Sequence, residues 1–583
     1  MKFLLVALHS SYPHASLSLP CLAARCHDID GAELLIKEFT VNEDAHCVFE
    51  SILEEKADVV AFSCYIWNIN YVLGLAKSLK SHSPSCFIVL GGPEVSFDAE
   101  YVLEESRDID CIIRGEGEEV FRHLAEVLIR PDGLPGLSSI PGITYRLEDK
   151  VTSSPAQQAI MPLDNIPSPF EYGLVDLEKP LVYFETSRGC PFTCAFCLSA
   201  NDSQVRSFSM ERIRSDLLCL IDAEVGTVKF VDRTFNYNAS RANEIWQFIL
   251  TNNAKSRYHF EIAADLLTTE NIELLKNVPA ETFRFEIGVQ SIIEETLSAV
   301  GRKSNMEALF YNVEFLIKKT NVGVHLDLVA GLPGEDYGGF LASLERLFQL
   351  APQHIQVEAL KILKGAPMMN VADKEHYKWS SAPPYRIVSN PWLAAHEVDR
   401  VDTVGRVLEL VYNSHRFDKT LEQIAGLMSL SSFFNEIAAR WEDEKVVFLS
   451  MDQLFEFVWD VGGRILPSGG QSLFREALVF DRCMADYPNP KKLPSYFSIE
   501  EEFDCKVSGE EISLIRAKRE YSPETKVRGI RWLFRSGLFK DGSGEGKRLL
   551  FIYLSTPGKR QEKNIFVEGG TFTAKDSLKL RDF

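Results

Sequence analysis

Glu185-Thr-Ser-Arg-Gly-Cys190-Pro-Phe-Thr-Cys194-Ala-Phe-Cys197 packs three thiols into eight positions. They directly follow an apolar run, Leu181-Val-Tyr-Phe184, with the composition of a strand. Free cysteines are usually scattered and buried singly, whereas thiolates this close on one loop can converge on a soft metal centre. Iron–sulfur clusters are normally held by four cysteines. Three ligands therefore point to a cubane with one iron left open for another group. Two other readings of the same residues stand beside it: a disulfide with a spare thiol, and a zinc site completed from afar.

Downstream of this loop the chain alternates between strand and helix patterns. Strands are predicted at Leu181–Thr186, Val228–Asp232, Tyr258–Ala263, Arg284–Val289, Val324–Ala330 and Ile355–Ile362. Helical stretches with charged faces lie between them, among them Met210–Ala223, Arg241–Asn252, Ile272–Asn277 and Phe340–Gln349. Six consecutive β–α units imply a partial parallel (β/α)6 barrel with its chemistry on the loops at the carboxyl ends. The cysteine loop sits at the end of the first strand. Polar residues end the others: Asp232-Arg-Thr, Glu261-Ile-Ala-Ala-Asp265, Glu286-Ile-Gly288-Val-Gln290-Ser291 and His325-Leu-Asp327. Carboxylates at such positions are costly unless paired or bound to a ligand. Asp265 and Asp327 are the candidate catalytic carboxylates.

Upstream, residues 1–150 also alternate. Apolar runs at Phe3–Leu8, Ala32–Phe39, Ala57–Tyr65, Cys86–Leu90 and Ile109–Ile113 are separated by helical stretches. This predicts a flavodoxin/Rossmann-like parallel sheet covered on both faces, with ligands beyond the carboxyl ends of its strands. Those ends read Ser63-Cys64-Tyr65-Ile66-Trp67-Asn68, Gly91-Gly92-Pro93-Glu94 and Arg114-Gly115-Glu116-Gly117-Glu118. The glycines either bring backbone close to a ligand or only terminate strands. No Gly-x-Gly-x-x-Gly follows the first strand, so a dinucleotide is not favoured. Pro131–Pro169 is predicted to be a connector holding a short hairpin around Ile143–Tyr145.

Composition bounds the function classes. A chain of 583 residues is too long for one core. A net charge of −21 argues against a general nucleic-acid or anionic-membrane binder. Twelve cysteines without a dense secreted-type framework fit a reducing cytoplasm. The apolar start Met1–Leu8 stops at His9, below the usual length of a signal-peptide core, and no apolar run approaches the length needed to span a bilayer. After Pro367 the pattern becomes helical, through Val401–Tyr412, Thr420–Met428, Phe433–Trp441 and Met451–Val461. Residues 506–583 hold 17 Lys/Arg against 10 Asp/Glu, with strands predicted at Trp532–Phe539 and Leu549–Leu554. Arg528, Arg531 and Arg535 there are read either as contacts for an anionic substrate or as a charged face over a core tryptophan.

The Cys-x3-Cys-x2-Cys spacing, with Phe196 before the last cysteine, resembles the radical S-adenosylmethionine (SAM) superfamily. The resemblance implies a [4Fe–4S] cluster on Cys190, Cys194 and Cys197, whose open iron binds SAM and whose electron cleaves it to a 5′-deoxyadenosyl radical. It also implies a SAM site formed by Phe196, Asp232, Arg241, Glu286, Gln290 and Ser291. Relatives carry Phe-x-Asp-Asp-x-Phe where this chain has Phe230-Val-Asp232-Arg233-Thr-Phe235, so the second aspartate is replaced. Together with the N-terminal sheet, the chain is similar to the cobalamin-binding class of that superfamily, including a helical C-terminal extension. That likeness implies cobalamin held near His14, Ser63, Gly91, Gly92, Gly115, Glu116 and Gly117. Relatives that ligate cobalt by histidine use Asp-x-His-x-x-Gly; Tyr12-Pro-His14-Ala-Ser-Leu17 keeps only the histidine, which leaves its ring without an acidic partner. A branch of the class keeps this domain without the cofactor, but carries extra cysteine ligands. Cys21, Cys26, Cys47, Cys64, Cys86 and Cys111 show no such motif.

The expected domains are 1–135, cobalamin-binding-like; 136–175, a linker; 176–370, the partial barrel; and 385–583, a mostly helical accessory domain. The expected function is cobalamin-dependent methyl transfer to an unactivated carbon, the substrate being a small molecule or of a class the residues do not specify. An external one-electron donor such as flavodoxin or ferredoxin would serve it. The alternatives are a cobalamin-dependent rearrangement or oxidation, and a non-catalytic cobalamin- or redox-binding protein.

Overall fold

Lys2–His9 (β1) is the strand around which the N-terminal sheet is built, buried along almost its whole length. It pairs in parallel with Glu33–Thr40 (β2) on one side and Val59–Ser63 (β3) on the other. Phe87–Gly91 (β4) and Cys111–Ile113 (β5) follow β3, giving the order β2-β1-β3-β4-β5. Strand order reverses at β1, so the switch point opens beyond the ends of β1 and β3. Helices cover both faces, one apolar layer gathering Phe121 and Leu124, the other Val72 and Leu75. These are the apolar runs read from the sequence, each within two residues at either end.

The hairpin is where the expectation changes. Ile143–Leu147 (β6) and Lys150–Ser153 (β7) do not stand in a free connector. They extend this sheet antiparallel, with Cys111 opposite Tyr145. Without them β5, three buried residues long, would leave its backbone groups unpaired at an edge.

The barrel strands are Leu181–Phe184 (β8), Thr227–Phe230 (β9), Arg257–Glu261 (β10), Phe283–Gln290 (β11) and Gly323–Ala330 (β12), parallel and in sequence order. A sixth strand, His354–Ala359, follows in the chain. Alternation along each strand decides the site. Phe184, Phe230, Phe260 and Phe285 are buried, with Phe235 and Trp246 among their ring neighbours. The alternate positions are Tyr183, Lys229, His259, Glu261, Glu286, Gln290 and Asp327, which are only partly buried. A parallel sheet covered on both sides would be apolar at both sets. A polar set marks a lumen that receives a ligand.

The computed structural model describes residues 1–130, 134–147, 149–253 and 255–497. Beyond those it describes 503–504, 509, 512–513, 524–539, 547–555 and 562–567. By contacts the chain divides into two units, 1–340 with 350–353 and 359–398, and 341–349 with 354–358 and 399–583. The helix Ala395–Val407 begins in the first unit and runs into the second, which continues with a π-helical turn Leu408–Tyr412 and helices Asp418–Ala425, Leu430–Asp443 and Met451–Ile465. Gln471–Ala485 is a further helix that the sequence reading did not name. Strands Phe503–Asp504, Lys526–Phe534, Lys547–Ser555 and Glu562–Val567 form an antiparallel sheet. Trp532 is fully buried there, and the Arg528 guanidinium lies over the Tyr487 ring. This matches a charged face over a core tryptophan. Much of the basic stretch 506–583 lies outside the described residues. Among those described, no helix is long and apolar enough to cross a membrane.

Candidate active site

The cysteine loop is pinned by backbone at both ends. Gly189 has φ of 89°, and a Cβ there would stand 2.4 Å from the Gln204 carbonyl, so only glycine lets the loop turn. Cys190 N donates to the Asp202 carbonyl and Ala195 N to the Val300 carbonyl. Cys190, Cys194 and Cys197 line one cavity of about 230 Å³ with Phe196, Gly288 and Gln290. All three thiols are free, which removes the disulfide reading. Among the described residues, the ligand atoms of His259, Glu286 and His325 lie within 4.8 Å of one another.

Polar groups already face the sulfurs. The Thr234 hydroxyl lies 3.3 Å from Cys190 Sγ, Arg302 Nη1 lies 3.8 Å from Cys194 Sγ, and Ser199 N donates to Cys197 Sγ at 3.4 Å. Burial pushes the Cys194 thiol up and the Arg302 charge works against it. Sequence reading missed Arg302 and Thr234. Arg302 is 108 positions from Cys194 and carries no local signal.

The other candidates divide. Phe196, Glu286, Gln290, Asp265 and Asp327 line the cysteine cavity. Gln290 has φ of 69°, and its Oε1 is buried with no hydrogen-bond partner among the described residues, an acceptor open to a donor in the cavity. Asp265 accepts from Asn305 N and the Ser304 hydroxyl. Burial raises Asp327, opposed by His325 at 3.0 Å. Burial alone would raise Glu286, but His259 at 2.8 Å and Lys229 at 3.2 Å hold it low and ionised. Asp232, Arg241 and Ser291 do not line this cavity. Asp232 is fully buried, accepting from Thr186 N and the Thr186 and Ser187 hydroxyls. Arg241 donates to the Thr186 carbonyl and hydroxyl, and the Ser291 hydroxyl to Glu335. Asp232 and Ser291 are occupied by protein, whereas Arg241 Nε and Nη1 are buried with no partner among the described residues.

Beyond the ends of β1 and β3 lie two adjoining cavities of about 560 and 460 Å³. Ser63, Tyr65, Pro93, Arg188 and Arg233 wall both. His14 lines the larger; Gly91, Gly92, Gly115, Glu116 and Gly117 line the smaller. Gly92 has φ of 114°, and a Cβ would meet the Cys64 carbonyl at 2.5 Å, so the turn admits no side chain. The Tyr183 hydroxyl sits 2.7 Å from His14 Nδ1, in place of the acidic partner that the sequence lacks. Glu116 is engaged by Arg188 at 3.2 Å, Arg206 at 2.9 Å and Ile160 N at 2.7 Å. It ties the sheet end to the barrel. Small residues around a roomy switch-point cavity fit a bulky planar cofactor. Arg233 and Glu261 line the cysteine cavity and the larger of these two alike.

Three family models match the chain. Residues 4–125 match the B12 binding domain, residues 184–347 the Radical SAM superfamily, and residues 373–525 a protein of unknown function, DUF4080. The chain is 26% identical over 410 residues to the cobalamin-dependent radical SAM methyltransferase TokK of Streptomyces tokunonensis, covering 66% of this chain and 58% of that one. It is 32% identical over 312 residues to the hopanoid C-3 methylase of Methylococcus capsulatus, covering 51% and 57%. It thus spans little more than half the length of either relative. In fold it is similar to the cobalamin-dependent SAM radical enzyme OxsB, with TM-score 0.58, 17% identity and coverage of 83% and 81%. The radical SAM methyltransferase TsrM of Kitasatospora setae gives 0.55, 17%, 66% and 79%.

Proposed function

We propose that this chain, with its B12-binding and radical SAM domains, is a cobalamin-dependent radical SAM methyltransferase that methylates an unactivated carbon of a small molecule. The observation that carries the reading is the shared wall: the three-thiol cavity and the cavity at the switch point of the N-terminal sheet have Arg233 and Glu261 in common. When bound, a [4Fe–4S] cluster would supply the electron that cleaves SAM, and cobalamin would carry the methyl group.

The chain's own residues supply placement. Cys190, Cys194 and Cys197 would hold the cluster, with Thr234 and Arg302 steadying two of the sulfurs. Gln290 Oε1 would accept a hydrogen bond from SAM, and Phe196 would cover it. Ser63, Gly91, Gly92, Gly115 and Gly117 would leave room for the corrin, and His14 stands at its edge. Glu286 and Asp327, which line the same cavity, would orient polar groups of a substrate. Fixing the reacting partners in one lumen removes an entropic barrier. The electron would come from a flavodoxin- or ferredoxin-type donor in the cytoplasm.

The test is to reconstitute the protein anaerobically with iron, sulfide and hydroxocobalamin, add SAM and reductant, and assay two products. Methyl transfer gives S-adenosylhomocysteine alongside 5′-deoxyadenosine. Deoxyadenosine alone overturns it in favour of an oxidation or rearrangement, as the name of the 32%-identical anaerobic magnesium-protoporphyrin IX monomethyl ester cyclase of Rubrivivax gelatinosus suggests. No cleavage at all favours a cobalamin- or redox-binding protein.

A further inference from the structure

Most cations around the two cavities are spoken for. Arg188 pairs with Glu116, Glu118 and Glu185. Lys229 pairs with Glu286, and Arg302 donates to the Gly288 carbonyl beside Cys194. Arg233 is different. It stands where the resemblance places a second aspartate, and it lines the cysteine cavity and both cavities of the N-terminal sheet. It is half-buried, and its guanidinium makes no hydrogen bond or ion pair with any described residue.

Glu261, at the end of the next strand, mirrors it. It lines the cysteine cavity and the larger sheet cavity, and its carboxyl likewise has no hydrogen bond or ion pair among the described residues. Burial raises the Glu261 carboxyl to about 7 and the Arg233 charge works against it, but the two stand too far apart for a salt bridge. A free cation and a carboxyl that lacks a counter-charge in contact, on neighbouring strand ends at the boundary of two cavities, match a ligand that carries one charge of each sign. The cysteine cavity has a cation of its own in Lys303, so an anion confined to that cavity does not need Arg233.

We propose that Arg233 and Glu261 bind the polar end of the substrate, and that this end is an amino-acid-type zwitterion, its carboxylate on Arg233 and its ammonium on Glu261. The inference rests on reading the shared wall as the place where the substrate meets both cofactors. SAM also ends in an amino acid, so the test must separate the two.

The probes are norleucine, hexanoate and hexylamine, which share a six-carbon chain and differ in charge. Binding to the full-length protein without cluster or corrin is measured by calorimetry, in wild type, Arg233→Gln and Glu261→Gln. Circular dichroism and thermal midpoints confirm folding, and Arg233→Lys serves as a charge-retaining control. Norleucine should bind most tightly. R233Q should weaken norleucine and hexanoate roughly tenfold or more, the size expected for a lost charged hydrogen bond. E261Q should weaken norleucine and hexylamine and spare hexanoate, and R233K should retain part of the hexanoate affinity. Equal affinities in all variants, or no binding of any probe, overturn the proposal. So does displacement of norleucine by SAM in cluster-loaded protein, because the pair would then serve SAM. These measurements need no turnover: a protein that cleaves SAM but fails here loses only the substrate assignment.

Discussion

At the barrel mouth the lining that matters is side chains, three sulfurs on one loop with Thr234 and Arg302 beside them. At the switch point of the N-terminal sheet it is largely their absence: Gly91, Gly92, Gly115 and Gly117 edge a cavity shaped by strand order. A site made of ligating atoms fails when one atom is removed. A site made of space degrades only as the space is filled or its frame shifts. Single substitutions should therefore separate the two regions.

The sharpest separation is Cys194→Ala. Iron in the reconstituted protein should fall to near background, and 5′-deoxyadenosine formation should fall by more than about 1000-fold, equivalent to about 4 kcal/mol of barrier. Hydroxocobalamin binding, read from its visible spectrum, should be unchanged. Loss of both would mean that the two regions are one cooperative site, and the contrast would fail.

How legible each region was follows from the same difference. The cysteine loop is a local string, so its spacing gave the site directly. Strand ends came within a few residues, because apolar runs bounded by polar or glycine residues define them. Partners far apart in the chain were not readable. Asp232 stood in a familiar motif, yet the hydroxyls of Thr186 and Ser187, some 45 positions earlier, consume it. Ser291 is consumed by Glu335 in the same way. The hairpin 143–153 looked like connector because its pairing partner, β5, is only three residues long.

Arg188 tests whether the two regions are held in register. It follows β8 and reaches Glu116 and Glu118 on the N-terminal sheet domain, with all four groups of the cluster, Glu185 included, mostly buried. Arg188→Met leaves those carboxylates without their counter-charge, and breaking a buried pair from one side costs about 3–5 kcal/mol. A chemical-denaturation midpoint should report this loss. A cost near zero would show that the cluster is solvated and the register is set elsewhere.

A smaller effect is expected from Gly92→Ala. The added Cβ meets a backbone carbonyl at 2.5 Å in a φ region that disfavours side chains, a strain of about 1–3 kcal/mol. Hydroxocobalamin affinity should drop while iron content stays at the wild-type level, the reverse of Cys194→Ala. Together the two variants form the crossed pair that the contrast demands.

The smallest change should come from His14, where a side chain stands at the edge of the space-defined site. Its Nδ1 faces the Tyr183 hydroxyl, and burial, helped by the charges of His9 and Lys229, lowers its affinity for a proton. The folded protein then binds fewer protons at this ring than the unfolded chain does. Stability from this group is full above the unfolded value near 6.5 and is lost as pH falls toward the lower folded value. His14→Gln should flatten that slope below about pH 6.5 in thermal melts. The visible spectrum of bound hydroxocobalamin should not move, since no carboxylate orients the ring for cobalt. A spectral shift on this substitution would make His14 a ligating side chain, and the switch-point cavity would then resemble the cysteine loop more than the contrast allows.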